Sequence, residues 1–356
     1  MKKNSSIEKY KVSSLLNIRD SIKRMDEGGI GFMVVVDESD KVIGVFTDGD
    51  FRKAILKGIS LNDTIIKITN RNYKYLEPGY NKEDAINIFK NSVSQQLPVI
   101  QNGNLLDVII KANLFFDSDN KVERKLLNVP VVIMAGGKGT RLEPFTHILP
   151  KPLIPIGEKP ILEIIMNEYL KYGINQFYLS VNHMAKMIEA YFEDKSHKYE
   201  IKYIREEQPL GTAGSLKYVE GKFNAPFFVS NCDILIKDDY SKLYDFHING
   251  GFVMTLVASM QHHVLPYGVC EIEAGGKLTS IIEKPEYDFL VNTGMYILNP
   301  EVLTLIPTGK LFNMTNLINI LQEKKYSIGV YPVSEKSYID IGQWSEYKKT
   351  LKTFLE

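Results

Sequence analysis

Short apolar runs alternate with amphipathic stretches along residues 129–356. Continuous apolar runs of this kind are typical of buried strands, whereas apolar positions three and four residues apart indicate helices. The pattern predicts helices over Ile161–Tyr172 and Ala185–Phe192, and strands over Gln176–Val181 and Phe227–Asn231. Strands that alternate with helices favour a largely parallel sheet with helices on both faces. We therefore predict a Rossmann-like α/β fold built on a mixed, mostly parallel sheet.

The N-terminal third of the chain has a different pattern, in which strand, turn and strand occur twice. The first copy covers Phe32–Thr47 and is followed by a helix over Phe51–Lys57. The second copy covers Gln96–Ile110 and follows an amphipathic helix over Lys82–Lys90. Repetition at a period of about sixty residues indicates two similar α+β units that pack together.

A charged, turn-rich segment separates the two patterns. We predict a tandem module over residues 1–120, with repeats at about 8–60 and 66–118, and a linker over residues 121–128. The second predicted domain covers residues 129–356 and opens with a strand.

Composition narrows the classes of partner. The 43 basic and 43 acidic side chains cancel, so no global field attracts nucleic acid or an anionic membrane. No apolar stretch is as long as a membrane span, and the polar N-terminus is not followed by an apolar signal segment. The two cysteines, Cys232 and Cys270, form no disulfide framework, and Cys232 is expected to pack in the interior. We therefore expect a cytoplasmic protein.

The segment Val131–Leu142 carries the first chemical signal, because its apolar run opens into a glycine-rich turn. Without a Cβ, glycine can take φ > 0 and direct backbone N–H groups towards an anion. Three residues of the turn share this freedom: Gly136, Gly137 and Gly139. Lys138 and Arg141 add positive charge. The spacing is not that of a P-loop, and Leu142 stands where a dinucleotide fingerprint needs its third glycine.

A second lysine follows, Lys151, in the proline-stiffened segment Pro150–Gly157. Gly-Gly-x-Gly-Thr-Arg-Leu followed by Pro-Lys-Pro resembles the signature of sugar-1-phosphate nucleotidyltransferases. The resemblance implies an enzyme that joins a sugar 1-phosphate to the α-phosphorus of a nucleoside triphosphate and releases pyrophosphate. It assigns catalysis to Arg141, Lys151 and Asp233. It assigns nucleotide binding to Ala135, Gly136, Gly137, Gly139, Thr140, Gln208, Gly211 and Thr212.

Two aspartates are candidates for a metal. The apolar run Phe227–Asp233 ends in an aspartate, at the position where an open α/β sheet places its ligand groups. The resemblance assigns Asp233 and Asp340, which lies in an Asp-Ile-Gly segment, to Mg²⁺. Asp238 and Asp239 follow in a polar stretch and are expected to cap a helix or face water.

Later segments match the base and sugar sites of the same family. The loop Glu206–Ser215 precedes a helix predicted over Leu216–Val219, which Thr212 and Ser215 are expected to cap. In the family this loop lies against the base. The resemblance assigns the sugar phosphate to Gly268, Glu283, Lys284 and Asn292. Among these, the lysine would bind the phosphate, and the glutamate and asparagine the sugar hydroxyls.

The N-terminal repeats resemble a pair of cystathionine-β-synthase (CBS) motifs, a module that often senses adenine nucleotides. Gly44, Thr47 and Asp50 match the ribose and phosphate contact pattern, with Thr47 and Asp50 as ligands. The corresponding positions of the second repeat differ: Asp107, Ile110 and Asn113. We expect one adenine nucleotide site, the alternative being a structural or dimer-forming module. Family tendency favours a homo-oligomer.

The base and the sugar remain open between related enzymes. The Pro-Leu-Gly-Thr-Ala-Gly loop occurs in guanylyltransferases, and related loops occur in uridylyl- and cytidylyltransferases. A CBS pair before this transferase resembles bacterial glucosamine 1-phosphate guanylyltransferases of legionaminic acid synthesis. We therefore expect GTP and glucosamine 1-phosphate, with a uridylyl- or cytidylyltransferase on another hexose 1-phosphate as the alternative. A non-catalytic nucleotide sensor is the alternative of another class, but it would not need both aspartates and both phosphate-binding lysines.

Overall fold

The computed structural model describes residues 5–92, 94–111, 125–193, 198–342 and 347. The chain divides into two compact units, residues 1–123 and residues 124–356. Within the described ranges, every helix is too short or too polar to traverse a lipid bilayer.

The first unit is an α+β arrangement with two small sheets. Its described elements are α1 (Ser5–Glu8), β1 (Lys11–Ser13), α2 (Ile18–Gly28), β2 (Phe32–Val36), β3 (Val42–Thr47), α3 (Asp48–Leu56), a 3₁₀ helix (Ile65–Ile68), α4 (Lys82–Lys90), β4 (Gln96–Gln101) and β5 (Asn104–Ile110). Strand β2 lies between a parallel β1 and an antiparallel β3, and β4 pairs with β5 as an antiparallel hairpin.

The order of elements in this unit repeats. In the first copy, β1 runs parallel to β2 across α2. In the second copy, Leu76 forms a parallel bridge to Val99 of β4 across α4. Asn17 and Asn81 cap α2 and α4, and each side chain accepts a 2.8 Å hydrogen bond from the backbone N–H three residues on. Each copy thus places a capped helix between two segments that pair in parallel.

The second unit alternates strands with helices, as its sequence pattern predicts. Its described α-helices are α5 (Ile161–Leu170), α6 (Ala185–Glu193), α7 (Tyr240–Asn249) and α8 (Met314–Glu323). Its described strands are β6 (Val131–Met134), β7 (Pro155–Ile156), β8 (Lys159–Pro160), β9 (Gln176–Val181), β10 (Glu200–Arg205), β11 (Phe227–Asn231), β12 (Ile234–Ile236), β13 (Met254–Val264), β14 (Val269–Ile272), β15 (Leu278–Ile282), β16 (Glu286–Leu298), β17 (Ile328–Val333) and β18 (Tyr338–Asp340).

Among the described residues of this unit, seven strands form one sheet in the order β10-β9-β6-β11-β16-β13-β17. Neighbouring strands are parallel except at β16, which is antiparallel to both β11 and β13. The prediction of a mixed, mostly parallel sheet is confirmed. Strands β9 and β11 have the predicted bounds, whereas α5 ends two residues before the predicted Tyr172.

Apolar side chains cover both faces of the sheet. One face carries Ile133, Leu179 and Phe228, against which residues of α5, α6 and α7 pack. The opposite face carries Val132 and Phe227 and is covered by α8. Helices therefore lie on both faces, as predicted.

The start of the second unit differs in detail from the sequence expectation. Leu127, which the sequence places in the linker, is buried in the core, and its N–H donates to the Tyr172 carbonyl at 2.7 Å. The strand expected at Val129 begins at Val131. The expected linker residues 121–124 and Asn113 of the second repeat lie outside the described residues.

Candidate active site

The glycine-rich turn follows β6 at the carboxyl edge of the sheet. Ala135 is buried, and its N–H donates to the Ser180 carbonyl of the neighbouring strand β9 at 2.8 Å. Gly139 adopts a φ of +69° and begins the 3₁₀ helix Thr140–Leu142. A Cβ on Gly139 would lie 2.9 Å from the Cβ of Lys151. Both the backbone angle and the close packing therefore require glycine at this position.

Gly136 and Gly137, the other two glycines of the turn, have no positive φ. The sequence expectation that all three glycines need this backbone freedom therefore holds only for Gly139. A Cβ on Gly136 would lie 3.1 Å from the carboxylate of Glu206. Gly137 has open space around it, with no heavy atom within 4 Å of a built Cβ. Gly137, Lys138 and Thr140 are exposed, so an anion can approach the turn from solvent.

Strand pairing brings the two candidate metal carboxylates together. Asp233 follows β11, and Asp340 ends β18. Strand β12 pairs with β18 so that Ile234 lies opposite Asp340, and the Ile341 N–H donates to the Asp233 carbonyl at 2.8 Å. A Cβ on Gly342 would lie 2.9 Å from Asp340 Oδ1 and would also contact Asp233 Oδ2. The two carboxylates therefore border the same small space.

Lys151 enters this space from the 3₁₀ helix Lys151–Leu153. Its Nζ donates a hydrogen bond to Asp233 Oδ2, and both side chains are buried. The same Nζ would lie 3.1 Å from a Cβ on Gly342. The fold thus makes an ion pair of two residues that are 82 positions apart in sequence.

The surroundings of Asp340 shift the pKa of its carboxyl group in both directions. Burial raises its pKa above the usual value, and the negative charge of Asp233 raises the pKa further. The Gly342 N–H donates to Asp340 Oδ1 at 2.7 Å, and this bond together with Lys151 and Arg141 lowers the pKa. Asp340 therefore lies within the electrostatic reach of both candidate catalytic cations.

The cysteines take no part in this cluster as nucleophiles. Burial raises the pKa of Cys232 to about 12, and its side chain packs in the core, as predicted. Cys270 is exposed, and both cysteines are free. In the part of the chain that the structure covers, no group of three or more His, Cys, Asp or Glu side chains could hold a metal ion.

The loop expected to meet the base is attached to the segment before α8. Gly211 has a φ of +80°, and a Cβ there would lie 2.8 Å from the Phe312 carbonyl oxygen. Gln208 is exposed, and the exposed Thr212 accepts a 2.9 Å hydrogen bond from the Met314 N–H at its hydroxyl. The exposed Gln208 amide donates to the Gly309 carbonyl at 3.2 Å, so the loop is attached at both Gln208 and Thr212.

The helix after this loop corrects an expectation. It is a 3₁₀ helix, Gly214–Val219, and neither Thr212 nor Ser215 caps it. Ala213 stands at its N-cap and makes no side-chain hydrogen bond. The first N–H groups donate instead to a backbone carbonyl before α8, and Thr212 bonds to Met314. Ser215 is buried.

Glu206 is a candidate functional residue to which the sequence assigned no role. Its carboxylate accepts hydrogen bonds from the Ser180 hydroxyl and from the Leu210 N–H, the latter at 2.9 Å. Its carbonyl accepts from the Asn182 side chain at 2.6 Å, and its Oε1 lies against Gly136. Glu206 thus joins the glycine turn to the loop Glu206–Ser215, called the base loop below. An acidic residue directly after a strand at the ligand-binding edge was the available signal.

The candidate sugar-phosphate residues lie on β16 and beside the β14–β15 hairpin. A Cβ on Gly268 would lie 2.9 Å from Glu283 Oε2, so the structure brings these two residues together. Lys284 is exposed and has a φ of +46°. The Asn292 amide donates to the Tyr296 hydroxyl at 2.7 Å. Tyr296, which the sequence did not single out, therefore fixes the orientation of the Asn292 side chain.

Gly294 connects this segment to β11, the strand that precedes the candidate metal ligand Asp233. Its φ is +90°, and a Cβ there would clash with the Asn231 amide. Asn231 ends β11, two residues before Asp233. The part of β16 that carries Asn292 therefore lies next to the end of β11, which Asp233 follows.

The candidate ligands of the N-terminal unit bond to each other. The Thr47 hydroxyl donates to Asp50 Oδ2 at 2.7 Å and accepts from the Asp50 N–H at 3.3 Å. Asp50 also accepts from the Thr47 N–H, which completes a capping box at the start of α3. The helix expected at Phe51 therefore begins earlier, at Asp48.

Comparison with known proteins gives matches in both units. The family described as nucleotidyl transferase matches residues 130–356, and the CBS domain family matches residues 10–57. A UTP–glucose-1-phosphate uridylyltransferase of Synechocystis sp. is 33% identical over an alignment of 246 residues, and the match covers 63% of this chain and 63% of that protein. A mannose-1-phosphate guanyltransferase of Saccharomyces cerevisiae is 34% identical over an alignment of 230 residues, and the match covers 61% of this chain and 62% of that protein. The chain thus spans under two thirds of the length of these curated relatives.

Solved structures match the same region. The crystal structure of HddC from Yersinia pseudotuberculosis has a TM-score of 0.51 and 27% identity, and the match covers 64% of this chain and 99% of that chain. The same protein complexed with GMP-PN matches with a TM-score of 0.50 and 26% identity over 64% of this chain.

Proposed function

The chain belongs to the nucleotidyl transferase family, and we propose that it transfers a guanylyl group from GTP to glucosamine 1-phosphate. The products are a GDP-sugar and pyrophosphate. The observation that carries the proposal is the meeting of Gly139, Lys151, Asp233 and Asp340 at one edge of the sheet. Transfer between two phosphates requires that both be positioned and neutralised, and this cluster offers a glycine turn, cations and carboxylates.

The candidate site residues, within this cluster and beside it, have separate roles in the proposed reaction. The backbone of the glycine turn holds the triphosphate, and Lys151 and Arg141 neutralise it. Lys284 holds the sugar phosphate, while Glu283 and Asn292 bind sugar hydroxyls. A phosphate oxygen of the sugar 1-phosphate then attacks the α-phosphorus in line, and pyrophosphate leaves.

The carboxylates of Asp233 and Asp340 fit a magnesium ion. Mg²⁺ is commonly held by one or two carboxylates, with water and substrate phosphates completing its shell, so a third protein ligand is not needed. The donor set is all oxygen, and a cation, the Lys151 ammonium, already contacts Asp233. When bound, the metal supplies positive charge to the phosphate oxygens during transfer.

The preference for GTP is supported by the base loop and by similar proteins. The yeast relative is named a guanyltransferase, and the Yersinia structure was determined with GMP-PN. The Synechocystis relative is a uridylyltransferase of almost equal identity, so UTP is the competing substrate in the test. Glucosamine 1-phosphate is proposed from the resemblance of the CBS–transferase combination to guanylyltransferases that supply legionaminic acid synthesis.

The N-terminal CBS domain provides the proposed regulatory input. We propose that an adenine nucleotide binds at Thr47 and Asp50. The capping box is satisfied without a ligand, so binding there requires that these side chains share their hydrogen bonds with ribose or phosphate oxygens. Titration calorimetry of the full chain with AMP, ADP and ATP tests this. A measurable heat of binding with one of them supports the proposal. No heat of binding with any of the three favours a structural module.

Pyrophosphate release tests the proposed reaction. The purified chain is assayed with Mg²⁺ across GTP, UTP, CTP, dTTP and ATP, each against glucosamine, N-acetylglucosamine, glucose and mannose 1-phosphates. Turnover confined to GTP with glucosamine 1-phosphate supports the proposal. Turnover with another pair corrects the substrates but keeps the reaction, whereas nucleotide binding without turnover in any pair supports the regulatory alternative.

A further inference from the structure

Lys151 contacts the carboxylate that the proposed function assigns to a divalent metal. Its Nζ donates a hydrogen bond to Asp233 Oδ2, and the two side chains are each 10% exposed. A buried carboxylate needs a compensating positive charge, and here the protein supplies that charge itself.

The space around this pair is narrow. A Cβ on Gly342 would lie 3.1 Å from Lys151 Nζ, 2.9 Å from Asp340 Oδ1, and in contact with Asp233 Oδ2. Mg²⁺ binds its oxygen ligands at about 2.0–2.1 Å in an octahedral shell that usually keeps several waters. A hydrated ion and the ammonium therefore compete for the same oxygen.

Repulsion adds to this steric conflict. A metal ion on Asp233 Oδ2 would lie within a few ångströms of the ammonium, with little water between them to screen the two positive charges. Like charges at such distances disfavour one another strongly. The ion pair and the metal are therefore alternatives at Asp233.

The stem of Lys151 is fixed next to the glycine turn. A Cβ on Gly139 would lie 2.9 Å from Lys151 Cβ and 3.3 Å from its Cδ. Rotation about the outer bonds of the side chain can therefore carry the ammonium from Asp233 towards a phosphate held by the turn. A triphosphate offers the ammonium several anionic oxygens in exchange for one carboxylate.

We propose that Lys151 blocks the metal site in the nucleotide-free protein and that the triphosphate opens it by drawing the ammonium away from Asp233. Divalent metal then joins Asp233 together with the nucleotide and not before it. This inference rests on the nucleotide- and metal-binding roles of the proposed function.

Manganese binding tests the exchange without any turnover. Free Mn²⁺ is measured by electron paramagnetic resonance during titration of the nucleotide-free, full-length chain. We expect Lys151→Met to bind Mn²⁺ at least about tenfold more tightly than the native chain, since one adjacent charge shifts an equilibrium by roughly one to three powers of ten. Lys151→Gln, which is polar but uncharged, carries the same expectation if the methionine variant does not fold.

Two control variants locate the effect. Lys138→Met removes one positive charge from the exposed part of the glycine turn and should leave Mn²⁺ binding as in the native chain. The double variant Lys151→Met/Asp233→Asn should lose the gained site. Equal Mn²⁺ affinity of the native chain and both Lys151 variants would overturn the proposal, as would a gain that persists without Asp233. Pyrophosphate release by the native chain is measured separately. Failure of the proposed Lys151 movement is therefore distinguishable from failure of the proposed transfer reaction.

Discussion

The Lys151 ammonium and the Asp233 carboxylate form a buried ion pair that joins the 3₁₀ helix Lys151–Leu153 to the segment that follows β11. Removal of one partner leaves an uncompensated charge in the interior, which is more costly than loss of an exposed pair. The pair also stands where the proposed chemistry needs both a phosphate-binding cation and a metal carboxylate. Substitutions here must therefore be assessed for folding and for activity separately.

Asp233→Asn keeps the shape of the side chain but removes its negative charge. We expect pyrophosphate release to fall by at least about two to three orders of magnitude, because a neutral amide cannot hold the cation that stabilises the transferring phosphate. The measurement is kcat at saturating substrates, with thermal unfolding recorded for the same sample.

Asp239→Asn is the matched control for this loss of charge. Asp239 caps α7 by accepting from the Ser241 and Lys242 N–H groups, and asparagine caps helices about as well as aspartate. Activity should therefore stay near the native value. An Asp233→Asn protein as active as Asp239→Asn would remove Asp233 from the metal site.

Gly139→Ala and Gly137→Ala compare the stability cost of a side chain at two glycines of the same turn. Alanine at Gly139 meets a φ of +69° and Lys151 at 2.9 Å, so we expect about 1–3 kcal/mol of lost stability. Alanine at Gly137 meets open space and an ordinary φ, so stability should change little. Urea unfolding of both variants makes the comparison, and equal stability losses would contradict the packing described for Gly139.

Glu206→Gln tests whether the carboxylate between the glycine turn and the base loop positions the nucleotide. Glutamine is uncharged and its Nε2 only donates, so the Ser180 hydroxyl must turn to accept, and both bonds lose the strength that the negative charge gives them. We expect the KM for the nucleotide to rise about tenfold, the difference between a hydrogen bond to a charged group and one to a neutral group, with little change in the KM for the sugar phosphate. The exposed neighbour Glu207 supplies the control, Glu207→Gln. Equal rises in both KM values would indicate a general structural effect.

His247, which is not one of the candidate site residues, makes the free energy of unfolding depend on pH. Burial lowers its pKa below the usual 6.5, although its hydrogen bond to Asn299 opposes the shift. The unfolded chain therefore takes up a proton at this residue at a higher pH than the folded chain does. Stability from this group is present above about pH 6.5 and is lost as the pH falls towards the lowered folded value.

The contribution of His247 is isolated by comparison with His247→Gln. Its ring bonds to Thr255 at 2.8 Å and to Asn299 at 2.9 Å, so the variant should be less stable at neutral pH. The difference in unfolding free energy between the two proteins should shrink as the pH is lowered. A difference that stays constant through the acid range would show that the residue does not titrate on unfolding.

Much of the sheet follows from local sequence. Strands β9 and β11 have the bounds that their apolar runs predict, because a strand buried on both faces is mainly apolar. Boundaries are less predictable where polar groups decide them. Thr47 and Asp50 start α3 three residues before the first apolar helical position, and α5 ends before Tyr172, whose carbonyl bonds to Leu127.

The contacts of the candidate site depend on pairings between distant segments. No local pattern shows that β12 pairs with β18, although this pairing places Asp340 beside Asp233. The attachment of the base loop to Met314 likewise gives Thr212 a partner other than the helix that follows it. The local signal of Glu206 is limited to its place directly after β10, and its link between two loops depends on contacts with Ser180 and Leu210.

The most direct test of the central claim is the fate of the α-phosphate. The chain is incubated with Mg²⁺, glucosamine 1-phosphate and GTP carrying a radioactive α-phosphate, and the products are separated. We predict that the label moves into a GDP-sugar, that pyrophosphate is unlabelled, and that Asp233→Asn leaves the label in GTP. Label that stays in GTP with the native protein, or that appears only as free GMP or GDP, would contradict guanylyl transfer.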